Sequence, residues 1–468
     1  MSRHTSRREF LRNNAFAGIG FWFIAQGTPA HSRSPNEKLN IAIIGAGGRG
    51  RANAEGIKSE NIVAICDTNE QVLGGVSERP GRPPAKPRPK AKQKSSAPPK
   101  QAAKQEPSDI YAKAKRYIDW RKLLEQKDID AVVVSTPDHH HALASVAAMR
   151  LGKHVYCEKP LAHSVHEARV VQETYNEMHE KAKVATQMGT QIHATENYRR
   201  VVELIQCGAI GPVREVHVWC DRVGFQPGTT RPADVQPVPE HIHWDLWLGP
   251  APERPYHKSY FGGCTVWEQW WDFGNGCLGD MGSHLIDLPF WALKLRDPLT
   301  VEARGANRST ECYPQWLEAC WEHPATQDHP ALKLTWHDGG KKPASPPGHD
   351  LAKWGIGVLF NGEKGQLLAD YGRCILLPEE KFKDFKPPQE RIPPSLGHYQ
   401  EWIHACKTGG EALCNFDYSG KLVECNLLGT VAWRVGQKLQ WDAKALKATN
   451  CPEADQFIRR PYRPGWTI

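Results

Sequence analysis

Lys159, Asp280 and His284 are the side chains whose types and spacing could move a proton. Lys159 sits in Glu158-Lys159-Pro160, directly after the apolar run His154-Val155-Tyr156-Cys157. A lysine at the carboxyl end of a parallel strand stands where open α/β sheets place their ligands. There an ammonium, its pKa lowered by partial burial, can hold or accept a hydrogen bond at a ligand hydroxyl. The plain alternative is a surface ion pair with Glu158. Asp280 and His284 are four residues apart, so on a helix both face one side. A carboxylate that orients an imidazole suits proton shuttling. The bland alternative is a helix start capped by Asp280, with His284 packed in an interface. Asp287 either serves the same pocket or is structural. Together these groups suit taking the proton of a secondary alcohol while its hydride leaves.

A hydride needs an acceptor, and an earlier stretch offers a place for one. The strand-like run Leu39 to Ile44 leads into Gly45-Ala46-Gly47-Gly48-Arg49-Gly50, which satisfies G-x-G-x-x-G. Gly45 permits the tight turn, Gly47 lets backbone approach a pyrophosphate, and Gly50 lets helix and strand pack closely. The residues from Arg51 to Ile57 can open a helix whose N-terminal amides, with Gly48 and Arg49, face that pyrophosphate. A second apolar run, Ile62 to Cys66, ends at Asp67, near the spacing of a carboxylate on the ribose hydroxyls. Such an acid repels a 2′-phosphate and favours NAD, although Arg49 could meet that phosphate and leaves NADP open. The strand Ala131 to Ser135 ends in Thr136-Pro137-Asp138-His139-His140-His141, read as a turn at the cofactor edge, with Thr136, Pro137 and His141 as cofactor contacts. Sequential histidines on a loop cannot all aim at one ion, so no metal is expected.

The elements that must position these groups follow in order. Tyr111 to Gln126 and Ala142 to Leu151 read as helices, Ser164 to Lys181 as another, and Val184 to Thr186 as a strand. This alternation predicts an α/β Rossmann domain over 36–188. Beyond Val213, strand-like runs (Val213 to Trp219, Leu332 to Trp336, Ile356 to Phe360) alternate with loops rich in Trp, Pro and Gly. They predict a C-terminal α+β domain over 189–468. Tyr418 to Val435 reads as a helix with Leu422, Val423, Leu427, Leu428 and Val431 on one apolar face, and Asn450 to Trp466 as a tail.

The chain has 468 residues, enough for two cores, and a formal net charge of +8. Nine Lys and Arg against Glu106 alone, between Arg79 and Pro107, account for the whole excess. That Pro-, Ala- and Gln-rich stretch reads as a disordered surface insertion over 79–107, and without interleaved aromatics it is no nucleic-acid site. The thirteen cysteines include no CxxC pair. At the N-terminus, Ser6-Arg7-Arg8-Glu9-Phe10-Leu11 and the apolar stretch Ala15 to Ala25 resemble a twin-arginine (Tat) export signal within 1–35. No later stretch is long and apolar enough for a stable membrane anchor.

The glycine loop, Glu158-Lys159-Pro160 and Asp280-Met281-Gly282-Ser283-His284-Leu285-Ile286-Asp287 together resemble the glucose–fructose oxidoreductase/inositol dehydrogenase (Gfo/Idh/MocA) family. Trp270-Trp271-Asp272-Phe273-Gly274 and the ending Tyr462 to Trp466 look like its Tat-exported branch. The resemblance covers Leu39 to Trp466 apart from the basic insertion. It implies a large open, mostly antiparallel sheet in the second domain and a cis peptide before Pro160. It further implies Glu158 and Lys159 at the cofactor, Lys159, Asp280 and His284 at a sugar or polyol hydroxyl, and a homo-oligomer.

The resulting expectation is a periplasmic NAD(P)-dependent oxidoreductase acting on a hydroxyl of a carbohydrate, polyol or glycoside. A periplasm holds no useful nicotinamide pool, whereas the Tat machinery carries folded proteins, so the cofactor is expected to travel tightly bound and to be recycled by a second carbonyl substrate. A redox-neutral NAD-dependent glycosidase or lyase is the alternative, and a non-catalytic sugar-binding protein the next. The Trp- and His-rich loops His241 to Trp247 and Trp267 to Phe273 are expected to meet the sugar.

Overall fold

The computed structural model describes residues 37–75, 109–261, 263–306 and 308–468. The expected export signal, within 1–35, and the whole of the basic insertion, 79–107, lie outside the described residues. Six short strands form the first sheet: β1 (Asn40–Ile44), β2 (Asn61–Cys66), β3 (Lys115–Tyr117), β4 (Ala131–Val134), β5 (His154–Cys157) and β6 (Thr186–Met188). Their order is β3-β2-β1-β4-β5-β6, and every neighbouring pair is parallel. The order reverses between β1 and β4, which opens a crevice at their carboxyl ends. Register then aligns the chemistry. Ile44 pairs with Val134 and Val134 with Cys157, so the glycine loop, Ser135-Thr136 and Glu158-Lys159 leave the sheet side by side.

The second sheet has nine strands. They are β7 (Val213–Cys220), β8 (Thr300–Gly305), β9 (Leu317–His323), β10 (Leu332–His337), β11 (Ile356–Gly362), β12 (Gly365–Ala369), β13 (Cys374–Leu377), β14 (Leu439–Asp442) and β15 (Lys447–Ala448). The order is β13-β12-β11-β7-β10-β9-β8-β14-β15. Only β7 and β10 run parallel; the other pairs are antiparallel, as expected. The helix Phe416–Val435 packs between this sheet and the helix Val165–Ala182 and is buried on nearly all sides, not on one face as its periodicity suggested. Covered on both sides, it has no solvent face to keep polar, and its buried Glu424 is paired with Arg169 of the neighbouring helix. The Trp321 indole donates to the Cys425 carbonyl at 2.8 Å and ties helix to sheet.

Several expected elements differ. Tyr111 to Gln126 is not one helix but a turn, the strand β3 and a short helix, Trp120–Leu123. Pairing of Lys115 with Ala64 draws this stretch into the sheet, and the Asp119 carboxylate accepts the Arg121 N–H at 2.9 Å, starting a separate helix. The strand expected at Val184 to Thr186 begins at Thr186, because the Ala185 N–H donates to His154 Nδ1 at 2.9 Å instead of joining a ladder. The helix His398–Thr408, far along the chain, lays Trp402, Ile403 and Cys406 against Ile41, Ile43 and Ala54, so the first domain's core is completed from the second half. The expected tail is anchored as well. Arg460 and Tyr462 both reach Glu167, and Trp466 is buried against Trp120 and Arg121.

Candidate active site

A cleft of about 930 Å³ runs along the carboxyl ends of β1, β4 and β5, at the upper end of the range for small-molecule sites. Of the expected site residues, Gly45, Gly47, Gly48, Arg49, Asp67, Thr136, Pro137, His141, Glu158, Lys159, Asp280 and His284 line it. Gly50 stands behind the wall, where close packing needs it: a Cβ there would lie 1.7 Å from the Gly45 carbonyl oxygen. Gly45 has φ +82°, and its Cβ would meet the Ser135 carbonyl oxygen at 2.6 Å. These glycines shape a backbone cradle before the helix Gly48–Gly56, whose free amides suit a pyrophosphate. Asp67 accepts the Gly47 N–H at 3.2 Å and the Asn69 N–H at 3.0 Å, fixing a carboxylate at one end. Thr136 Oγ1 is buried without a hydrogen-bond partner, a polar atom waiting for one. The residues present thus fit a dinucleotide, with Asp67 at the adenosine end and Glu158-Lys159 at the nicotinamide end.

Arg49 does not face a 2′-phosphate position. Its Nε donates to Glu158 Oε1 at 2.8 Å and its Nη2 to the Tyr399 hydroxyl at 3.2 Å, away from Asp67. Asn53 Nδ2 adds a 3.0 Å bond to the same carboxylate. Burial opposes ionisation of Glu158, but Arg49 and Lys159 outweigh it and hold the carboxyl below its ordinary value. The surface-pair alternative for Lys159 therefore fails: Glu158 belongs to Arg49. The Lys159–Pro160 peptide is cis.

Lys159 Nζ donates to Asp280 Oδ1, and Arg222 Nη1 to Asp280 Oδ2. Asp280 therefore orients an ammonium and a guanidinium, and not the imidazole as its spacing suggested. No hydrogen bond links it to His284. Nor does it cap a helix start: it ends the helix Gly276–Asp280, and His284 belongs to the next turn, Gly282–Leu285. His284 Nδ1 is buried without a hydrogen-bond partner. Burial, then the nearby Lys159 and Arg49, pushes its imidazole well below the ordinary value, so it is neutral and can accept a proton.

Asp287 does not serve the cleft. It is fully buried, accepts from the Tyr418 hydroxyl at 2.7 Å and lies 2.9 Å from His193 Nδ1. With Cys414 these form the one group among the described residues that could converge on a metal, but the thiol is engaged with Thr190 Oγ1 at 2.8 Å. The histidine triplet is not a turn: Pro137 starts the helix Asp138–Arg150, and all three rings are buried in its first turn. Burial pushes His140 down to about 4 and lowers His139 and His141 too. His141 spans the Pro160 carbonyl at 2.6 Å and the Thr136 carbonyl at 2.8 Å, which pins the two strand exits together.

Residue spacing missed Arg222, Glu268, Asp138, Tyr399 and Trp466. Glu268 Oε1 accepts from Arg222 Nη1 at 2.9 Å, and Asp138, Glu268 and Trp466 all line the cleft. Only Asp138 carried a signal, its place right after Thr136-Pro137 at a strand end. The aromatic loops differ from expectation too. Trp244, Tyr260, Trp270 and Phe273 form a core of their own, and only Trp247 and Trp267 of those loops' rings reach the cleft.

Two family models match this chain. One, described as "Oxidoreductase family, NAD-binding Rossmann fold", spans residues 39–186. The other, "Oxidoreductase family, C-terminal alpha/beta domain", spans 220–468. An inositol 2-dehydrogenase of Rubrobacter xylanophilus is 26% identical over 202 residues, 42% of this chain and 48% of that protein. A glycosyl hydrolase family 109 protein of Solibacter usitatus is 33% identical over 174 residues, 35% of this chain and 34% of that one. This chain thus spans about half, or less, of the curated relatives' lengths. The WlbA dehydrogenase of Bordetella pertussis, solved with NADH and UDP-GlcNAcA, has a TM-score of 0.56 at 15% identity, covering 87% of this chain and 98% of that one. At that identity the likeness speaks for the fold.

Proposed function

Because the chain belongs to the Gfo/Idh/MocA oxidoreductase family, we propose that it oxidises a CH–OH group of a sugar, polyol or glycoside, using NAD held in its cleft. The observation that carries this reading is the convergence of Lys159, Asp280 and His284 at the end of the cleft away from Asp67. NAD, when bound, supplies the hydride acceptor. Lys159, anchored by Asp280, holds the substrate oxygen through an N–H donor, and the neutral His284 imidazole takes the hydroxyl proton. The Arg49–Glu158 pair braces the strand end beneath them, and Trp247 and Trp267 give a sugar flat apolar surface.

The reading includes export in folded form with cofactor aboard, recycling by a second carbonyl substrate in the periplasm, and pairing of copies through the open sheet. The Arg7-Arg8 signal supports export. Protein purified without added cofactor, then denatured, should release stoichiometric NAD identifiable by mass and absorbance. Lys159→Ala should keep that cofactor and lose turnover by about 10²-fold or more. Near-normal turnover in this variant sinks the assignment.

A second reading, redox-neutral cleavage of a glycoside, is favoured by the likeness to the glycosyl hydrolase family 109 protein. Release of free sugar from an aryl glycoside without an external acceptor supports it; keto-sugar formation counts against it.

A further inference from the structure

Proton transfer through His284 leaves two buried carboxyls of the cleft unused, Asp138 and Glu268. They belong to one charged cluster. Arg222 Nη1 joins Glu268 to Asp280, and Lys159 closes on Asp280 from the other side. Asp138, at the first turn of its helix, faces this cluster beside Asn275 and senses both Glu268 and Lys159. Three carboxyls thus meet two cations. The other facing groups do not change the count. Arg49 and Glu158 cancel, Asp119 pairs with Arg121, Asp67 stands at the adenosine end, His140, His141 and His284 are held below the ordinary imidazole value, the Cys264 thiol is raised above its ordinary value, and Lys258 stands exposed at the mouth.

One negative charge is left over if all three carboxyls ionise. Burial, then Glu268, pushes Asp138 well above its ordinary value, and burial raises Glu268 despite Arg222 and Lys159. Both shifts favour keeping one proton on this wall when nothing else balances the charge. Something else can: an oxidised nicotinamide ring carries one positive charge and the reduced ring none. We propose that the Asp138–Glu268 pair is a proton store matched to the redox state of the cofactor, ionised opposite the oxidised ring and protonated opposite the reduced one.

The inference rests on the cofactor reading above. When R₂CH–OH becomes R₂C=O, the C–H bond breaks with its electron pair passing to the nicotinamide. The O–H bond breaks with its proton passing by way of His284 to the carboxyl pair. His284 cannot keep that proton, since its imidazole is held well below the ordinary value. Ring and wall together keep the same charge, so the reaction strands no buried charge. A second carbonyl substrate then recovers hydride and proton from the same site, as recycling requires.

The test is a binding measurement on the whole protein freed of nucleotide. NAD⁺ and NADH are titrated separately from about pH 6 to about pH 8.5, by calorimetry in buffers of unlike ionisation enthalpy. NAD⁺ should release one proton that NADH does not. The ratio of NAD⁺ to NADH affinity should rise up to about tenfold per pH unit while the pair titrates. Glu268→Gln leaves two carboxylates against two cations and should flatten the ratio; Asp138→Asn should do the same independently. A flat ratio in the unaltered protein, or a slope kept in both variants, overturns the store while leaving the cofactor reading intact. If neither nucleotide binds, the cofactor reading falls and the store with it.

Discussion

Asp280→Asn removes one charge without changing shape, and the cluster around it makes the cost calculable. Asp280 is 6% exposed and bridges Lys159 at 17% and Arg222 at 28%. Stripping the partner from a buried ion pair ordinarily costs about 3–5 kcal/mol, because the remaining charge is uncompensated. Here two carboxyls stand in reserve. Once Asp280 is neutral, Asp138 and Glu268 can both ionise against the two cations, and each pKa unit by which they relax returns about 1.4 kcal/mol. The loss in unfolding free energy should therefore be only about 1–2 kcal/mol, measured by denaturant titration. Turnover should still fall by about 10²-fold or more, because Lys159 loses the anchor that sets its direction. A stability loss of about 4 kcal/mol would refute the charge count. Turnover within about tenfold of the unaltered enzyme would refute the positioning of Lys159.

Gly45→Ala places a Cβ 2.6 Å from the Ser135 carbonyl in a backbone at φ +82°, and about 1–3 kcal/mol of strain should weaken NAD binding roughly 5- to 150-fold, read by fluorescence titration. Asp138 is raised in the folded state, so the unfolded chain gives up this proton first and stability falls as pH rises from the ordinary carboxylate range toward the folded value; Asp138→Asn should remove that decline in denaturant titrations across pH. His284 is held neutral, so any acid limb of turnover due to it should lie below the ordinary imidazole value of about 6.5, and His284→Asn should abolish that limb. Trp466→Ala removes a buried ring lying 4.3 Å from the Arg121 guanidinium carbon and should cost about 2–4 kcal/mol of stability.

The nucleotide half was legible because its requirements are local. A tight turn, a close backbone approach and a strand ending in an acid each leave a residue type at fixed spacing, so Gly45, Gly47, Gly50 and Asp67 could be found without knowing what lay opposite them. The chemistry of Asp280 was half legible. Both Asp280 and His284 line the cleft, on successive short helices and not on one, and spacing along the chain cannot report charges arriving from other elements. Lys159 comes from β5 and Arg222 follows β7, and together they outbid the imidazole for the carboxylate. Tyr111 to Gln126 failed for the same reason, since strand pairing with β2 overrode local helix preference. Aromatic loops invited a sugar-stacking reading, yet most of their rings are needed to build a core under a long loop layer.

Those long-range contacts also bear on how cofactor and substrate are joined. Arg49 sits on the glycine loop, but its guanidinium is held by Glu158 of the Lys159 segment and by Tyr399 of the helix His398–Thr408. Tyr399 in turn donates to Asn53 at 2.8 Å, within the helix that follows the loop. The cradle for the phosphates, the strand end bearing Lys159 and a helix from the second half of the chain therefore share one hydrogen-bonded network. The loop is thus tied to groups on both sides. On the proposed reading, that arrangement suits a nucleotide kept through many turnovers. It also ties retention of the cofactor to intact packing of the second domain, so substitutions that loosen the helix His398–Thr408 should release nucleotide without touching the glycine loop.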